Sequence, residues 1–599
     1  MGVLRFDGEF PVVSQHEWLK MVEAVLKGAD FGKVLTSKTY DDILIEPLYQ
    51  GIKDVVADGR RTGAHPWDVY QRIDLSDISA ANLQLKEDIE GGATGCVIVT
   101  NDAPTARGFG LSLKTEDDIA QLLRGVDAQD IRIEAGAQAL HVASLLSAQS
   151  NVEIAFDPVG LKARGVEIDP DTAVSDAIAF QDKAAKPIKL FMADGRPYHE
   201  AGASEAEELA SVLATALHYL RAFEKHGIKP ETARDSISFM LVADADEFMT
   251  IAKFRALRRL WKHIEEACSL VPQPINIHAE TAWRMMTRYD PWTNLLRTTT
   301  AVFSAGVGGC DTLSVLPFTN ALGLPDNMAR RMARNIQHVL INESNLWRVI
   351  DPAAGAGSFE TLTASLCEKA WQIFQNLEKQ GGILVALKAG TWQSEISKTA
   401  QKRQYDFAIK KQKITGISEF PDITADQVSV LASIPTEAPL SLKGDALLSI
   451  RDAQAYETIR DRLEERKAKT GEREKVFIAA LGPPAAYAGR AGFARNFFEV
   501  AGFETVLPEH ELTPENITAL VNDSKAKIIC LASSDAVYGE KAGAIASALE
   551  TAAGKKCYLV CSKELMPEWN IRTRIEAITP KSNAFSILDY AVKHALTTV

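Results

Sequence analysis

A stretch near the carboxyl end of the chain has the position of a ligand-binding loop but lacks side chains that could do chemistry. Its sequence, VFIAALGPPAAYAGRAGFARNFFEVAGFE (Val476–Glu504), predicts a buried strand, a Gly/Pro/Ala loop at Gly482–Gly489 and a helix at Arg490–Val500. Such loops present ligands, because the carboxyl end of a parallel strand and the N–H groups of a helix N-terminus converge there. Yet no Asp and no His occurs from Lys475 to Glu509. The sequence therefore predicts a ligand-type scaffold without reactive groups.

The cysteines offer no alternative chemistry. There are seven, and the nearest pair, Cys557 and Cys561, lies in a hydrophobic, strand-like run. This setting is typical of two core thiols rather than of a metal or redox site, which stays the alternative. We expect no metal bound by this chain.

Composition limits the class of protein. A chain of 599 residues needs two or more domains. The formal net charge of −13, without a long basic run, argues against nucleic acid or an anionic membrane as partner. No apolar run reaches the roughly 18–20 residues of a membrane span, and the first residues, MGVLRFDGEF, do not resemble a secretory signal. We expect a soluble, cytoplasmic protein.

Strand-like and helical patterns alternate from about residue 80. The helices are predicted at Glu207–His226 and at Phe359–Glu378, which ends at Gly381-Gly382. The strand candidates are Gly95–Thr100, Ile131–Glu134, Val152–Phe156, Ile188–Met192, Ile237–Val242, Ile275–His278, Thr312–Leu316 and Trp347–Ile350. Eight strands alternating with helices predict an α/β fold with a (β/α)8 TIM barrel, whose chemistry would lie at the carboxyl ends of the strands. A doubly wound open sheet is the alternative.

Four parts of the chain follow from this pattern. Residues 1–50 form an N-terminal arm with too little apolar surface for its own core, and residues 51–394 form the barrel. Residues 395–470 are predicted to be a linker packed on the barrel, in which the basic run Lys398–Lys413 is a solvated face. Residues 471–599 return to a β–α rhythm that is typical of a flavodoxin-like domain.

Four blocks of sequence resemble one known family. They are TYDDILIEPLY (Thr39–Tyr49), EFMTIAKFRALRRLW (Glu247–Trp261), HAETAWRMMTRYDPWTNLLRTT (His278–Thr299) and MARRMARNIQHVLINESNLWRVIDPAAGAGSFETLT (Met328–Thr363). They are similar to the methylmalonyl-CoA mutases, and the resemblance covers the chain end to end. It implies an enzyme that interconverts methylmalonyl-CoA and succinyl-CoA with radicals from adenosylcobalamin, with the CoA chain along the barrel axis and the corrin on the flavodoxin-like domain.

The cobalamin motif of that family is missing. The family has Asp-x-His-x-x-Gly, in which the His coordinates cobalt and the Asp orients the His, since a metal-bound imidazole needs an acceptor on its other nitrogen. The matching segment is GPPAAYAGR, with Pro484 and Ala486 in place of Asp and His and only Gly489 retained. We therefore expect this chain to bind no cobalamin and to leave the cofactor to a partner.

The predicted substrate site departs in the same way. The family has Gly-Tyr-His before Gln-Glu-Ala-Gly-Ala, and its His donates a hydrogen bond to the thioester carbonyl. Here the run is GRPYHEAGA, so Arg196 and Pro197 replace the Tyr-His pair, and proline has no side-chain donor. His199 lies two residues late and is a weak alternative donor. Arg196 is bulky and charged, so it could fill the channel.

Further positions of the family's site are changed or ambiguous. A substrate-contacting Tyr aligns with Thr62, and a His is lost where Leu316 stands in SVLPF. His278 is kept, although Glu280 follows where the family has Gln. Arg255 matches a phosphate contact of the family and could equally be an arginine on a helix surface. His278 and Arg255 are therefore the candidate contacts to CoA.

These departures resemble the small, non-catalytic subunit of the heterodimeric mutases. The resemblance implies a homologous, cobalamin-bearing large subunit as partner, stabilised by this chain through an extensive interface in which the arm wraps the other subunit. The arm could instead fold back on its own barrel. Two other functions stay open: a regulatory sensor of CoA esters, and an independently active acyl-CoA mutase with another ligand on cobalt.

Overall fold

The computed structural model describes residues 13–52, 55, 63–126, 130–146, 152–183, 189–426, 428–434, 446–549, 554–569 and 575–597. Eight parallel strands close into a barrel, since the last strand pairs with both the seventh and the first. In chain order, β1–β8 are Asp68–Ile73, Gly95–Val99, Asp130–Glu134, Val152–Phe156, Lys189–Asp194, Ile237–Ala243, Ile277–Thr281 and Thr312–Ser314. The predicted barrel is confirmed, and the open sheet is wrong.

One predicted barrel strand is wrong. The Trp347–Ile350 run is not a strand: a 3-10 turn occupies Leu346–Arg348, and the indole N–H of Trp347 donates to the carbonyl of Ile341. The strand that completes the barrel is instead β1, which precedes residue 80. Its Gln71 and Arg72 read as exposed polar residues, but both are buried: Arg72 lies inside the barrel, and Gln71 donates to Arg330 O on a helix packed outside the barrel wall.

Helices surround the barrel. Two of them correspond to the predicted ones: Glu205–Lys225, which starts at a Ser204 capping box, and Gly357–Lys379. The other α-helices before the C-terminal sheet are Gln15–Leu26, Phe31–Val34, Ile78–Glu90, Glu116–Leu122, Ala139–Leu145, Pro158–Ala163, Pro170–Lys183, Arg196–Glu200, Pro230–Asp235, Glu247–Ala267, Thr293–Gly308, Asn327–His338, Ile383–Lys388, Thr391–Ala408 and Gln454–Thr470.

A separate five-stranded parallel sheet forms the C-terminal domain. Its strands, β9–β13, are Lys475–Ala480, Glu504–Val506, Ile528–Ala532, Lys556–Val560 and Ile575–Ile578. Their order in the sheet is β10-β9-β11-β12-β13, the flavodoxin-like order. The α-helices of this domain are Pro484–Glu499, Ile517–Asp523, Asp535–Val537, Gly543–Leu549 and Ala584–Thr597. Separate apolar cores lie on the two faces of the sheet.

The predicted loop at Gly482–Gly489 is mostly wrong. The helix begins at Pro484, not at Arg490, with Pro483 as its N-cap residue. Proline suits this first helical position, since it has no N–H to leave unbonded and its φ angle is already helical. Gly482 has φ of +80°, and a Cβ built there would lie 3.2 Å from Val537, so a glycine is favoured at this sharp turn.

The segment between barrel and sheet is more buried than its charge suggests. Lys398, Lys411 and Lys413 are exposed, as predicted for a solvated face, but Arg403 and Lys410 are buried. The burial of these two residues follows from their positions. Arg403 faces the barrel from the Thr391–Ala408 helix, and Lys410 lies against the Phe497 ring of the C-terminal domain.

Candidate functional site: the mouth of the barrel

Arg196 fills the interior of the barrel near the carboxyl ends of the strands. Its guanidinium donates to Glu134 Oε1 at 2.7 Å, to both carboxylate oxygens of Asp194 at 2.8–3.1 Å and to Glu280 Oε2 at 3.3 Å. These acids come from β3, β5 and β7, so the side chain crosses the barrel axis. Only 3% of Arg196 is exposed. The bulky arginine of the sequence is therefore an internal ion-pair partner.

The acids around Arg196 belong to a layer of alternate strands, which we call the charged layer. It consists of Arg72, Glu134, Asp194 and Glu280, from β1, β3, β5 and β7, together with Arg196. Layers of this kind normally hold branched apolar side chains. Here charged side chains that bond to one another fill the space instead.

The charges of this layer do not cancel. Burial alone would raise the pKa of Glu134, but Arg196 and Arg72 outweigh it and lower that pKa to about 2. Burial raises the pKa of Glu280 and Glu134 adds to the rise, despite the opposing arginines. The layer has two guanidinium groups for three carboxyl groups. Glu280 thus holds a proton more readily than Glu134.

His278 lies on the same strand as Glu280, two residues nearer the amino end. Its Nδ1 is 2.6 Å from Thr312 Oγ1 and contacts Arg132, and its Nε2 is 3.0 Å from Glu153 Oε2. Burial lowers the pKa of His278, and Arg132 lowers it further, although Glu153 opposes both. Both ring nitrogens of this candidate CoA contact are occupied by the barrel's own side chains.

Arg255, the other candidate CoA contact, lies outside the barrel wall. It is buried between the Glu247–Ala267 and Gly357–Lys379 helices, where it donates to Thr363 Oγ1 at 2.9 Å, to Asp351 Oδ2 at 3.2 Å and to Glu360. A phosphate at this guanidinium would meet two carboxylates. The geometry is typical of a structural ion pair between helices.

Among the remaining predicted positions that the structure describes, neither Pro197 nor Leu316 has a side-chain donor for a substrate carbonyl. Pro197 and Leu316 are buried, and the N–H of Leu316 donates to Thr281 Oγ1 at 2.8 Å. Thr62 lies outside the described residues. His199 is held between two carboxylates, with Nδ1 2.9 Å from Glu208 Oε2 and Nε2 3.1 Å from Asp244 Oδ2. The geometry therefore does not favour His199 as a replacement donor.

A segment that sequence reasoning assigned only to the linker crosses the barrel mouth. Residues 446–452, here called the mouth strap, bond to the segments that follow three different strands, two of them short helices. The N–H of Leu447 donates to Ala163 O at 2.7 Å, that of Ile450 to Glu200 O at 2.9 Å and that of Asp452 to Arg284 O at 2.9 Å. Such contacts join residues far apart in the chain, so no local pattern could have revealed them.

Charged side chains close the mouth beneath the strap. Arg107, after β2, lies 3.8 Å above the Trp283 ring, after β7, and donates to Glu200 at 3.0 Å. Arg164, after β4, donates to the same Glu200 at 3.0 Å. Burial would raise the pKa of Glu200, but Arg164 and Arg107 hold it far below its usual value. These ion pairs connect opposite sides of the mouth.

A large cavity lies at the rim of the barrel, beside the arm. It has a volume of about 1660 Å³ and opens between residues 36–49 of the arm and the rim of the barrel, including Asp246, Arg284, Leu296 and Arg403. We call it the arm cleft.

The C-terminal segment does not fit cobalt coordination. Pro484, Ala486 and Gly489 all lie in the first turns of a helix, and none of their side chains carries a coordinating atom. The Lys475–Glu509 interval supplies no His or Asp from nearby. In the described part of the chain, no cluster of three or more His, Cys, Asp or Glu residues could hold a metal ion.

Comparison with known proteins agrees with the architecture. The family model for methylmalonyl-CoA mutase matches residues 170–496. The chain belongs to the methylmalonyl-CoA mutase family. One relative, the methylmalonyl-CoA mutase small subunit of Streptomyces virginiae, is 36% identical over 93% of this chain and 95% of the relative. The protein of the same name from Propionibacterium freudenreichii subsp. shermanii is 33% identical over 93% of this chain and 90% of the relative.

The resemblance read from the sequence is therefore confirmed. A protein named methylmalonyl-CoA mutase, from Cereibacter sphaeroides, is 26% identical over 76% of this chain. No helix within the described ranges is long and apolar enough to cross a membrane.

Proposed function

We propose that this chain is the small, non-catalytic subunit of an adenosylcobalamin-dependent methylmalonyl-CoA mutase. Its partner would be a homologous large subunit that carries the cobalamin and interconverts methylmalonyl-CoA and succinyl-CoA. The role of this chain is to stabilise that partner in a cytoplasmic heterodimer. The observation that carries the proposal is the charged layer: Arg196 and its three acids occupy the barrel axis, where the family's substrate would lie.

The other two functions have less support. A sensor of CoA esters needs an open channel, but ion pairs fill the axis and the mouth strap crosses its end. An independent mutase needs a cobalt ligand and a donor to the thioester carbonyl. Pro197 provides no such donor, and Pro484 and Ala486 provide no ligand. Binding tests decide both: the purified chain should bind neither a CoA ester in calorimetry nor cobalamin with a base-off spectral change.

The arm offers a surface for the partner. The Gln15–Leu26 helix has no buried residue, and Met21 and Val25 are 54% and 79% exposed. With Trp18 they share one face, because residues three and four positions apart are neighbours on a helix. An exposed apolar face of this kind is typical of an interaction site. Farther along the arm, Asp41 accepts a hydrogen bond from Ser204 of the barrel, which supports an arm whose first helix alone is left for the partner.

The direct test is co-expression with a large subunit that has the complete Asp-x-His-x-x-Gly motif. We expect a stable one-to-one complex in size-exclusion chromatography with light scattering, and higher mutase activity than from the large subunit alone. Absence of both a complex and an activity change would refute the proposal.

A double substitution, Met21→Asp with Val25→Asp, tests the arm's share of the interface. Placing two carboxylates in a desolvated contact should weaken the complex at least tenfold, because buried charges without partners are strongly unfavourable. Leu83→Asp is the matched control, since Leu83 is 60% exposed on a different helix. Equal affinities of the double variant and the control would exclude this face from the interface.

A further inference from the structure

One wall of the arm cleft carries a buried carboxylate without a donor. Glu205, the first residue of the Glu205–Lys225 helix, lines the cleft and is only 7% exposed. In the described part of the chain, no group donates a hydrogen bond to its carboxylate. Arg284 lies 4.0 Å from it and donates to Asp244 instead, at 3.0 Å. Buried charges are normally paired and hydrogen-bonded, so this position is suited to a further cation.

A second acid lies on the same wall. Asp246, the N-cap residue of the Glu247–Ala267 helix, lines the cleft and accepts from the N–H of Met249 at 3.3 Å. Among the described contacts, its other carboxylate oxygen has no donor. The surrounding walls of the cleft, and next the charge of Glu205, raise the pKa of Asp246 to about 6. The two acids are therefore close enough to repel each other, and a cation between them would relieve that repulsion.

Apolar side chains border this acidic wall. Phe248, Leu48 and Leu296 line the cleft and are 47%, 50% and 69% exposed. Phe248 stacks on Phe359 with the ring centroids 4.9 Å apart, so its ring is held in place. Exposed apolar side chains gathered in one concavity, beside a few polar groups, are typical of a binding site. The cleft therefore fits a chain segment in which a basic residue stands between apolar ones.

The amino end of the chain contains such a segment. Residues 1–12, which lie outside the described residues, have the sequence MGVLRFDGEFPV. In it, Arg5 stands between Leu4 and Phe6, and we call these three residues the basic anchor. Its one positive charge matches the acidic wall, and its two large apolar side chains match the border of that wall.

The described chain begins beside the cleft. The side-chain amide of Gln50 donates to Gln15 Oε1 at 3.1 Å, and the carbonyl of Gln50 packs against Gly357, which lines the cleft. The residues just before Gln15 therefore start near its rim. From Val13 back to Arg5 the chain can extend up to ~26 Å. The basic anchor is thus tethered close to a cleft that matches its chemistry.

We propose that the arm cleft is the docking site of the chain's own basic anchor, with Arg5 bonded between Glu205 and Asp246. Arginine suits this place, since its planar guanidinium carries five N–H donors and can bond to two carboxylates at once. Docking fixes the amino end of the arm on its own barrel, and so presents the exposed face of the Gln15–Leu26 helix to a partner in one orientation. It is a property of this chain alone and goes beyond the proposed function.

A disulfide between the anchor and the cleft tests the proposal in the full-length chain. Phe6→Cys with Phe248→Cys places two thiols next to the proposed ion pair, and Cys268→Ser removes an exposed competing thiol. With oxidised glutathione as oxidant, an intrachain disulfide, identified by mass spectrometry, should form at least tenfold faster than in the control pair Phe6→Cys with Val271→Cys. Val271 is 75% exposed and follows the opposite end of the helix that begins beside Phe248, roughly 30 Å away.

Charge reversal in the Phe6→Cys, Phe248→Cys chain tests the role of the acids. Arg5→Glu should slow disulfide formation at least tenfold, because a carboxylate would then meet the acidic wall, whereas Arg5→Lys should keep most of the rate. Asp7→Lys is the matched control, since it reverses a charge just outside the anchor, and it should not slow the reaction.

The proposal is overturned if no disulfide forms between the anchor and the cleft, or if Arg5→Glu reacts as fast as Asp7→Lys. A disulfide that joins two chains would also overturn it, since the occupant of the cleft would then be a second copy. None of these outcomes bears on heterodimer formation, which co-expression tests separately.

Discussion

The barrel interior and the start of the Pro484–Glu499 helix differ in their side chains: the first is crowded with charged groups, and the second has hardly any. In the barrel, a large charged side chain has been added: Arg196 lies among three acids and fills the axis. At the helix start, side chains are small or absent, and the predicted loop is instead the first turns of the helix. In the barrel, ion-paired side chains occupy the space on the axis. At the helix start, the backbone is helical where a ligand-binding loop was predicted.

The difference determines how each region responds to substitution. Buried ions depend on one another, because removing one partner leaves the others desolvated without compensation. A helix start that contains Pro, Ala and Gly has no such partners to lose, and residues 483–485 and 488–489 are exposed. The barrel interior should therefore be sensitive to single changes, while the helix start should tolerate them.

The largest effect is expected from Arg196→Ala. Without the guanidinium, Glu134, Asp194 and Glu280 would face one another in a buried space, which should destabilise the barrel by about 3–5 kcal/mol. Calorimetry should show the melting temperature of the barrel falling by roughly 5–10 °C.

Arg221→Ala is the control for this change. Arg221 forms an ion pair with Glu378 but is half exposed, so its loss should contribute less than about 1 kcal/mol. An Arg196→Ala chain as stable as this control would mean that the charged layer does not hold the barrel together.

Smaller changes in stability, of opposite pH dependence, are expected from substitutions of Glu134 and Glu280. The pKa of Glu134 is lowered to about 2, so its ionised form stabilises the fold above pH ~4, and this stabilisation is lost as the pH falls toward 2. Glu134→Gln should therefore destabilise the chain by about 2–3 kcal/mol at pH 7.

For Glu280, the contribution to stability depends on pH in the opposite direction. Its pKa is raised, so its contribution is greatest below the pKa of the unfolded chain and is lost as the pH rises through the higher native value. Glu280→Gln should be neutral or slightly stabilising at pH 8, where the ionised carboxylate is the unfavourable form. Urea unfolding at pH 5 and pH 8 separates the two variants, and equal losses from both would contradict the uneven sharing of protons.

The local sequence predicted that Arg196 could fill the barrel, but it did not identify the partners of this arginine. Arg196 and Pro197 stood out as unusual side chains at the end of a strand, but the acids that bind Arg196 come from β3, β5 and β7. Their approach depends on barrel closure, which a single sequence does not display. The same reason explains why β1 was missed: Arg72 reads as a solvent-facing residue until its buried partners are known.

The helix start was misread for a local reason. Two prolines and a glycine usually indicate a loop, and the Gly482–Gly489 run matches that rule. Pro484 is instead compatible with the first helical turn, and Ala485 and Ala486 continue it as strong helix formers. The absence of reactive side chains was evident from the sequence, whereas the replacement of the loop by a helix was not.

The smallest effect is expected when the family's cobalt motif is written back into the C-terminal domain. Pro484→Asp together with Ala486→His should change stability by less than about 1 kcal/mol and should not produce a base-off absorbance change with cobalamin. The reason is geometric: residues two positions apart on a helix point to different sides. The introduced carboxylate therefore cannot reach the second nitrogen of the introduced imidazole and orient it toward cobalt. Ala485→His alone is the matched control, and titration of either chain with cobalamin should give the same absorbance spectra. A base-off change in the double variant only would show that the first helical turn unwinds for a cofactor, and the two regions would then differ less than their structures indicate.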